Sequence, residues 1–508
     1  MAWPARAPGS RGVSVSSSSQ HRASPEKPLG QDRQWLGRST VLDSPRPRIV
    51  VPCPGPAHHA LSSHQQAVTR LLAEIDSWRF REGELLHAAV AIPAIDAFHW
   101  LENNPGESRC LWQNREQTLT LAGIGIAVEL DADTAEDYDR LLKRITAITD
   151  GRDTAFLGGF AFDGRSGERE WHDFPAARFV LPAIELRQRD GDFRLAVNLH
   201  ASNHDEFVRN KTRLITHLSR LSFAPPLPAD ADWSIRITRR LNNMSFDECQ
   251  EHIRHILEHI DQGHIHKAVL ARRVELQLNE ALPGFMALKR WHHFNDGSFC
   301  FALEHGRKLF MGCSPERLFS REDRRVCTES LAGTVRRGHS REEDARLEHT
   351  LLQDPKLIHE HDLVTRYVRE RLAPWVIHID CPAQAGVVKL DRIQHRYLPI
   401  HGTLRPGVMD DQLLNALHPT PAVCGSPRRE AQDLIARRET NDRGWYSGVM
   451  GMISPRYSEF AVAIRSALVE DNQVLCYSGV GIVAGSTPES EWNELEAKIE
   501  SFLAVLWS

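Results

Sequence analysis

Hydrophobic and polar positions alternate along this chain in two rhythms. From Gln65 to Phe80 the pattern is that of an amphipathic helix. Leu119 to Leu130, Ala155 to Phe162 and Phe193 to Leu199 read as strands. Asp205 to Leu221 reads as a helix, ended by the break Pro225-Pro226-Leu227-Pro228 and the acidic stretch after it. A further helix is predicted from about Ser245 to Gln262, and elements of both kinds then alternate irregularly to the end. There is no βαβ rhythm and no repeat of fixed period, so the pattern predicts one large α+β domain rather than a doubly wound sheet. No apolar run approaches the roughly 18 residues that a membrane-spanning helix needs.

Residues 1 to about 60 break with this pattern. Ser14 and Ser16 to Ser19 lie among Arg6, Arg11 and Arg22, no acid precedes Glu26, and prolines recur through Pro56. Such a segment cannot bury a core and is expected to be disordered, with order beginning near Leu61. Without an apolar core region it is not a secretory signal. An acid-poor Ser/Arg-rich leader fits an organelle transit peptide, and a non-functional extension fits equally.

Composition narrows the field. The 508 residues are 41% hydrophobic and 25% charged, ordinary for a globular protein. A net charge of −5 gives no global attraction to nucleic acid or anionic membrane, so any anion site must be local. Nine scattered cysteines with no CxxC pair argue against a disulfide framework or zinc ribbon and for a reducing compartment, the cytoplasm unless the leader is a transit peptide. His264 and His266 would share a strand face, but no third metal ligand stands nearby.

The candidate chemistry lies in the second half. Lys267 opens the apolar run His266-Lys267-Ala268-Val269-Leu270-Ala271-Arg272. It is either a solvated strand-edge charge or, desolvated among cations, a general base. In Gly312-Cys313-Ser314-Pro315-Glu316-Arg317-Leu318 the Ser-Pro-Glu turn can start a helix, or Glu316 can leave an apolar strand as a proton donor. Leu331-Ala332-Gly333-Thr334 adds a glycine and a hydroxyl. Lys356 and His359-Glu360-His361 fall on a helix, where the two histidines do not share a face, so a lone carboxylate on Mg²⁺ suits the segment better than a zinc site. Leu417-His418-Pro419-Thr420-Pro421-Ala422-Val423-Cys424-Gly425 is stiffened by its prolines. Arg465, in an otherwise apolar strand, calls for a carboxylate or phosphate partner. Ser478-Gly479-Val480-Gly481-Ile482-Val483 permits close backbone approach, and Glu491, Glu494 and Lys498 follow on one helix face. That helix is equally well explained as a surface helix whose charges follow its dipole.

Taken in order, KAVLAR, SPERL, LAGT, an EH helix, a QH, HPTPAVCG, RGWYSG, AIR, SGVGIV and EWNE…K resemble the chorismate-utilising enzymes: isochorismate, salicylate, anthranilate and aminodeoxychorismate synthases. The resemblance covers about residues 240–505, within a catalytic domain spanning 61–508. It implies a single α+β chorismate-binding domain of antiparallel sheets flanked by helices. Ala422 in the HPTPAVCG segment is similar to isochorismate synthases of the menaquinone, enterobactin and pyochelin type, with salicylate synthases the nearest rival. It implies a Mg²⁺-dependent, reversible addition of water at C2 of chorismate with loss of the C4 hydroxyl, by a monomer without a glutamine amidotransferase.

The family's roles, carried to matching positions, make Lys267 the base that activates water and Glu316 the acid that protonates the leaving hydroxyl. Glu360 and Glu494 bind Mg²⁺, which holds the C1 carboxylate. Arg465 and Lys498 hold substrate carboxylates. Gly333, Thr334 and Gly479 offer backbone or hydroxyl contacts, His395 and Ala422 shape the ring pocket, and Tyr446 lies near the enolpyruvyl side. Two departures stand out: Glu329, an additional acid before LAGT, and the Arg396-Tyr397-Leu398-Pro399 run after His395.

Overall fold

A computed structural model of the chain describes residues 57–225, 234–389 and 393–507. The leader through Pro56 and Pro226 to Pro228 of the proline break lie outside the described residues. The first described helix is Ala57–Ser77, so it begins inside the stretch assigned to the extension. The helix predicted over 205–221 is His204–Arg220, with the Asn203 side chain accepting the Glu206 N–H at 2.9 Å. The helix predicted from 245 is Phe246–Asp261. It starts at a capping box in which the Ser245 hydroxyl accepts from the Glu248 N–H while the Glu248 carboxylate accepts from the Ser245 N–H.

All strand pairings are antiparallel, and the network forks at Ala177–Arg189. One end of that strand pairs with Asp192–His200, which carries Leu85–Ala91. Along its length Leu119–Ala132 leads through Arg109–Gln113, Phe299–His305, Lys308–Ser314, Ser466–Glu470 and Gln473–Val483 to Lys267–Leu278. Its other end pairs with Phe156–Phe160, which leads through Val449–Ile453, Tyr457–Val462, Arg317–Glu322 and Arg325–Arg336 to Ile393–Leu404. The α+β architecture of antiparallel sheet flanked by helices is therefore as the sequence implied.

The two longer branches mix strands from the two halves of the chain, and so does the core. Trp100, Leu111 and Ile184 pack in one apolar cluster with Phe285, Met311, Phe502 and Leu503, all buried. The helices that matter for the site are tied to this core. Pro355–Leu372 starts with proline in its first turn and with the Asp354 side chain accepting from Lys356 N–H and Leu357 N–H. Pro488–Trp507 buries Leu495, Ile499, Phe502 and Leu503, which leaves Glu494 and Lys498 on a neighbouring stripe.

Candidate active site

The ends of the two longer branches and these two helices line one cavity that opens to solvent. Lys267, Glu316, Gly333, Thr334, Glu360, His395, Ala422, Tyr446, Arg465, Gly479, Glu494 and Lys498 all line it, so every site residue drawn from the sequence is brought together.

Lys267 is the first residue of the strand Lys267–Leu278, and its side chain is buried. Its ammonium donates to Glu360 Oε1 at 2.8 Å, so the group in direct contact is a carboxylate rather than the cations expected beside a lysine base. Arg272 is not part of this environment: it lies over the Trp492 ring and donates to Glu496 at 2.7 Å. Across the sheet, Gly481 faces the lysine. A Cβ there would lie 2.6 Å from Lys267 Cε and 2.8 Å from Glu360 Oε1, so glycine lets the pair take this position and a larger residue would displace it. Gly479 makes the same allowance for the Tyr446 hydroxyl, which an added Cβ would meet at 2.7 Å.

Glu316 stands in the turn between Lys308–Ser314 and Arg317–Glu322; the Ser-Pro-Glu segment starts no helix. Burial, reinforced by the charge of Glu329, raises its carboxyl to about 8 against the opposing influence of Lys267, the Thr420 hydroxyl and Lys498. At neutral pH it is a carboxylic acid with a proton to give. Glu329 itself does not line the cavity.

The LAGT segment forms a bulge. Register against Ile393–Leu404 shifts between Leu331 and Thr334, and Gly333 takes φ +80° there. The shift sets Thr334 directly opposite His395, and Thr334 Oγ1 and His395 Nδ1 share a hydrogen bond of 2.8 Å. Burial, with Arg465 and Lys498 nearby, pushes the imidazole down to about 3, so it is neutral, and its buried Nε2 has no hydrogen-bond partner among the described residues. Tyr446 is buried and stacks on Tyr477 with ring centroids 5.1 Å apart.

Arg465 departs from expectation in its setting. It is not within a strand but in the bend between Tyr457–Val462 and Ser466–Glu470, at φ +50°. Its guanidinium makes no hydrogen bond or ion pair among the described residues. Burial lowers its pKa, with Glu494 and Tyr446 opposing, which is the signature of a cation lacking a full counter-charge. Lys498, by contrast, is committed, donating to the Gly479 carbonyl at 2.7 Å and to Glu494 Oε1 at 2.7 Å. His264 and His266 precede the strand rather than sharing a strand face, and no cluster of three metal-ligating side chains exists among the described residues.

For a divalent cation the donor set is Glu360 and Glu494. Each has one oxygen engaged by a lysine and the other without a protein hydrogen bond among the described residues. Burial would raise the Glu494 carboxyl, but Lys498, Lys356 and Arg465 outweigh it and hold it below the usual range, ionised and ready to ligate. Two hard oxygen donors with space for water and substrate fit Mg²⁺. Two further contributors had been given no role from the sequence. Lys356, one helical turn before Glu360, donates to buried Glu491 at 2.7 Å and lines the cavity. Thr420, inside the HPTP segment, hydrogen-bonds Glu316.

Comparison with known proteins agrees with this geometry. The family described as "Chorismate binding enzyme" matches residues 71–507. Isochorismate synthase 2, chloroplastic, of Arabidopsis thaliana is 34% identical over 409 residues, covering 76% of this chain and 70% of that protein. Isochorismate synthase MenF of Escherichia coli (strain K12) is 32% identical over 423 residues, covering 81% of this chain and 91% of that protein. The solved structure of MenF, the menaquinone-specific isochorismate synthase from Escherichia coli, superposes with a TM-score of 0.78 at 27% identity, covering 87% of this chain and all of that one. A family match over most of the chain, on a fold that gathers a buried acid, a lysine and two further carboxylates into one cavity, shows that the chain belongs to the chorismate-binding enzymes.

Proposed function

We propose that this protein is an isochorismate synthase, converting chorismate reversibly to isochorismate. The observation that carries the reading is the pairing, in one cavity, of Lys267 with a buried Glu316 that keeps its proton near neutral pH. Among the relatives named above, both sequences and the superposed structure are isochorismate synthases.

Chorismate is a dianion, and a chain of net charge −5 must meet it with local cations. Arg465, without a hydrogen bond or ion pair among the described residues, takes one carboxylate, and a planar guanidinium suits it in bidentate geometry. Lys498 takes part through its ammonium. Glu360 and Glu494 would hold Mg²⁺, which when bound supplies positive charge to the C1 carboxylate and orients the ring. In its neutral amine form, Lys267 Nζ accepts a proton from water as the water oxygen bonds to C2. The ring double-bond electrons shift, the C4–O bond breaks, and Glu316 donates its proton to the departing hydroxyl, which leaves as water. One water enters and one leaves, so substrate and product are isomers, and the near balance of bonds made and broken underlies reversibility. Thr334 and neutral His395 frame the ring, with His395 Nε2 open to a hydroxyl; Ala422 leaves space for water, and Tyr446 bounds the enolpyruvyl side.

No glutamine amidotransferase partner is needed for water as nucleophile, and we infer a monomer. The described cysteines are all unpaired, which fits a reducing compartment, the cytoplasm or, if the leader is a transit peptide, a plastid. No helix among the described residues is long and apolar enough to cross a membrane.

The test is to incubate purified protein with chorismate and Mg²⁺ and resolve the products by chromatography. Isochorismate alongside residual chorismate is expected. Salicylate with pyruvate would move the protein to the salicylate synthases, and no consumption of chorismate would end the enzymatic reading.

A further inference from the structure

The acid of this site is gripped from outside the cavity. Arg115 lies in the turn between Arg109–Gln113 and Leu119–Ala132, far from the motif-bearing half of the chain. Its Nη1 donates to the Pro315 carbonyl at 3.0 Å and to Glu329 Oε1 at 2.9 Å, and its Nη2 donates to Glu329 Oε2 at 2.9 Å. Glu329 Oε1 also accepts the Arg317 N–H at 2.9 Å. One ion pair therefore holds the carbonyl before Glu316 and the amide after it. The Glu329 side chain has no solvent exposure, and the Arg115 guanidinium lies 5.5 Å from the Phe299 ring centroid and 6.0 Å from that of Tyr397. Arg317 is fixed in turn by Glu459 at 3.1 Å and Glu116 at 2.7 Å.

We propose that Arg115 and Glu329 are positioning residues for Glu316, clamping its turn from both sides and setting a fixed negative charge behind the acid. The proposal rests on the reading of Glu316 as the proton donor. A buried ion pair contributes little net stability compared with apolar residues of the same volume, so stability alone gives little reason for one at this place. A bidentate pair does fix direction, which a donor aimed at a single leaving oxygen requires. The charge matters as well. Burial and Glu329 together favour the protonated carboxyl, while Lys267, Thr420 and Lys498 oppose it. Without Glu329, Arg115 would stand uncompensated behind the acid and favour proton loss.

The experiment compares wild type, Glu329→Gln and Arg115→Lys. Glutamine keeps an oxygen for the Arg317 N–H but removes the charge. Lysine keeps the charge but cannot reach Pro315 and both Glu329 oxygens at once. The expected result for Glu329→Gln is a kcat lower by about tenfold, a KM for chorismate changed by less than about threefold, and an alkaline limb of the pH–rate profile moved about one unit toward acid. Arg115→Lys is expected to fall between it and wild type with its limb little moved. Independently of turnover, the protonated-carboxyl band of Glu316, identified by its loss in Glu316→Gln, is followed by infrared difference spectroscopy against pH. Its midpoint is expected to fall in Glu329→Gln. An unmoved limb and midpoint, or a loss uniform across pH that tracks lowered melting temperature, would overturn the proposal. Should Glu329→Gln fail to fold, Arg115→Lys with wild-type kcat would overturn it alone. Failure of wild type to turn over chorismate would instead overturn the reaction assignment, and the infrared midpoint would still decide the clamp.

Discussion

At the scale of single residues, the site divides into groups satisfied by the protein and groups left for a ligand. Lys267 belongs to the first kind and Arg465 to the second. Lys267→Ala is expected to lower kcat by about 10²-fold or more, the range of a lost general base, while circular dichroism and melting remain near wild type. Normal turnover in that variant would remove the base assignment. Glu316 gives a pH prediction with a definite sign. The acid works protonated, so kcat/KM is expected to fall as pH rises through about 8. The same shift acts on stability. The folded-state value exceeds the unfolded one, so the contribution is fully present below about 4.5 and is lost as pH rises through about 8. The melting temperature of wild type should therefore drop more between pH 6 and 9 than that of Glu316→Gln, and parallel curves would contradict the shift. The residues that line the cavity were legible in the sequence, because acid, base and cation types stand in short motifs. The setting of Arg465 was not: an apolar run with one arginine reads as a strand, and nothing in it announces the bend at positive φ.

At the scale of elements, the chemistry depends on a strand and two helices brought to one point. The glycines of Gln473–Val483 are what allow it, since Gly481 lets the Lys267–Glu360 pair lie against the sheet. Gly481→Ala adds one methyl at 2.6 Å from Lys267 Cε, and a buried strand backbone cannot move far to relieve it. A kcat loss of about tenfold or more with the fold retained is expected, since a displacement of about an ångström can cost more than this. Wild-type kinetics would show the pair to be free to shift. The helices Pro355–Leu372 and Pro488–Trp507 each supply one carboxylate, so Glu360→Gln and Glu494→Gln should each raise the Mg²⁺ concentration for half-maximal rate steeply. An unchanged Mg²⁺ titration would remove the residue concerned as a ligand. The helices themselves were legible because caps and apolar periodicity are local: Ser245 with Glu248 marks a helix start within four residues. The turn of Glu316 was ambiguous for the same reason, as Ser-Pro-Glu satisfies the local rules for a helix start and only its pairing partners decide otherwise.

At the scale of the whole molecule, sequence motifs and structural units do not coincide. The motifs crowd into residues 240–505, which invites the view that the second half is the enzyme and the first an accessory. The pairings say otherwise. Phe299–His305 has Arg109–Gln113 as one neighbour, and Val449–Ile453 has Phe156–Phe160. Trp171 packs against Phe310 and donates its indole N–H to the Tyr477 hydroxyl at 3.0 Å, directly behind the tyrosine stacked on Tyr446. Arg115 reaches from the same half to the turn of the acid. Non-local antiparallel pairing of this kind leaves no signal at any one position, which is why periodicity predicted strands but not their neighbours. It also makes a prediction. A chain of residues 234–508 holds every cavity residue named above, yet it would expose two unpaired strand edges and the apolar faces that Trp100, Leu111 and Trp171 cover. Open edges and large apolar patches favour association over folding. Expressed alone, this half is expected to be insoluble or to show no cooperative thermal transition, whereas the full chain melts cooperatively. Adding residues 57–225 in trans would restore turnover only if the two halves can rebuild the forked sheet. A soluble 234–508 chain with chorismate turnover would show that the second half carries its own core and that the strands of the first half are dispensable.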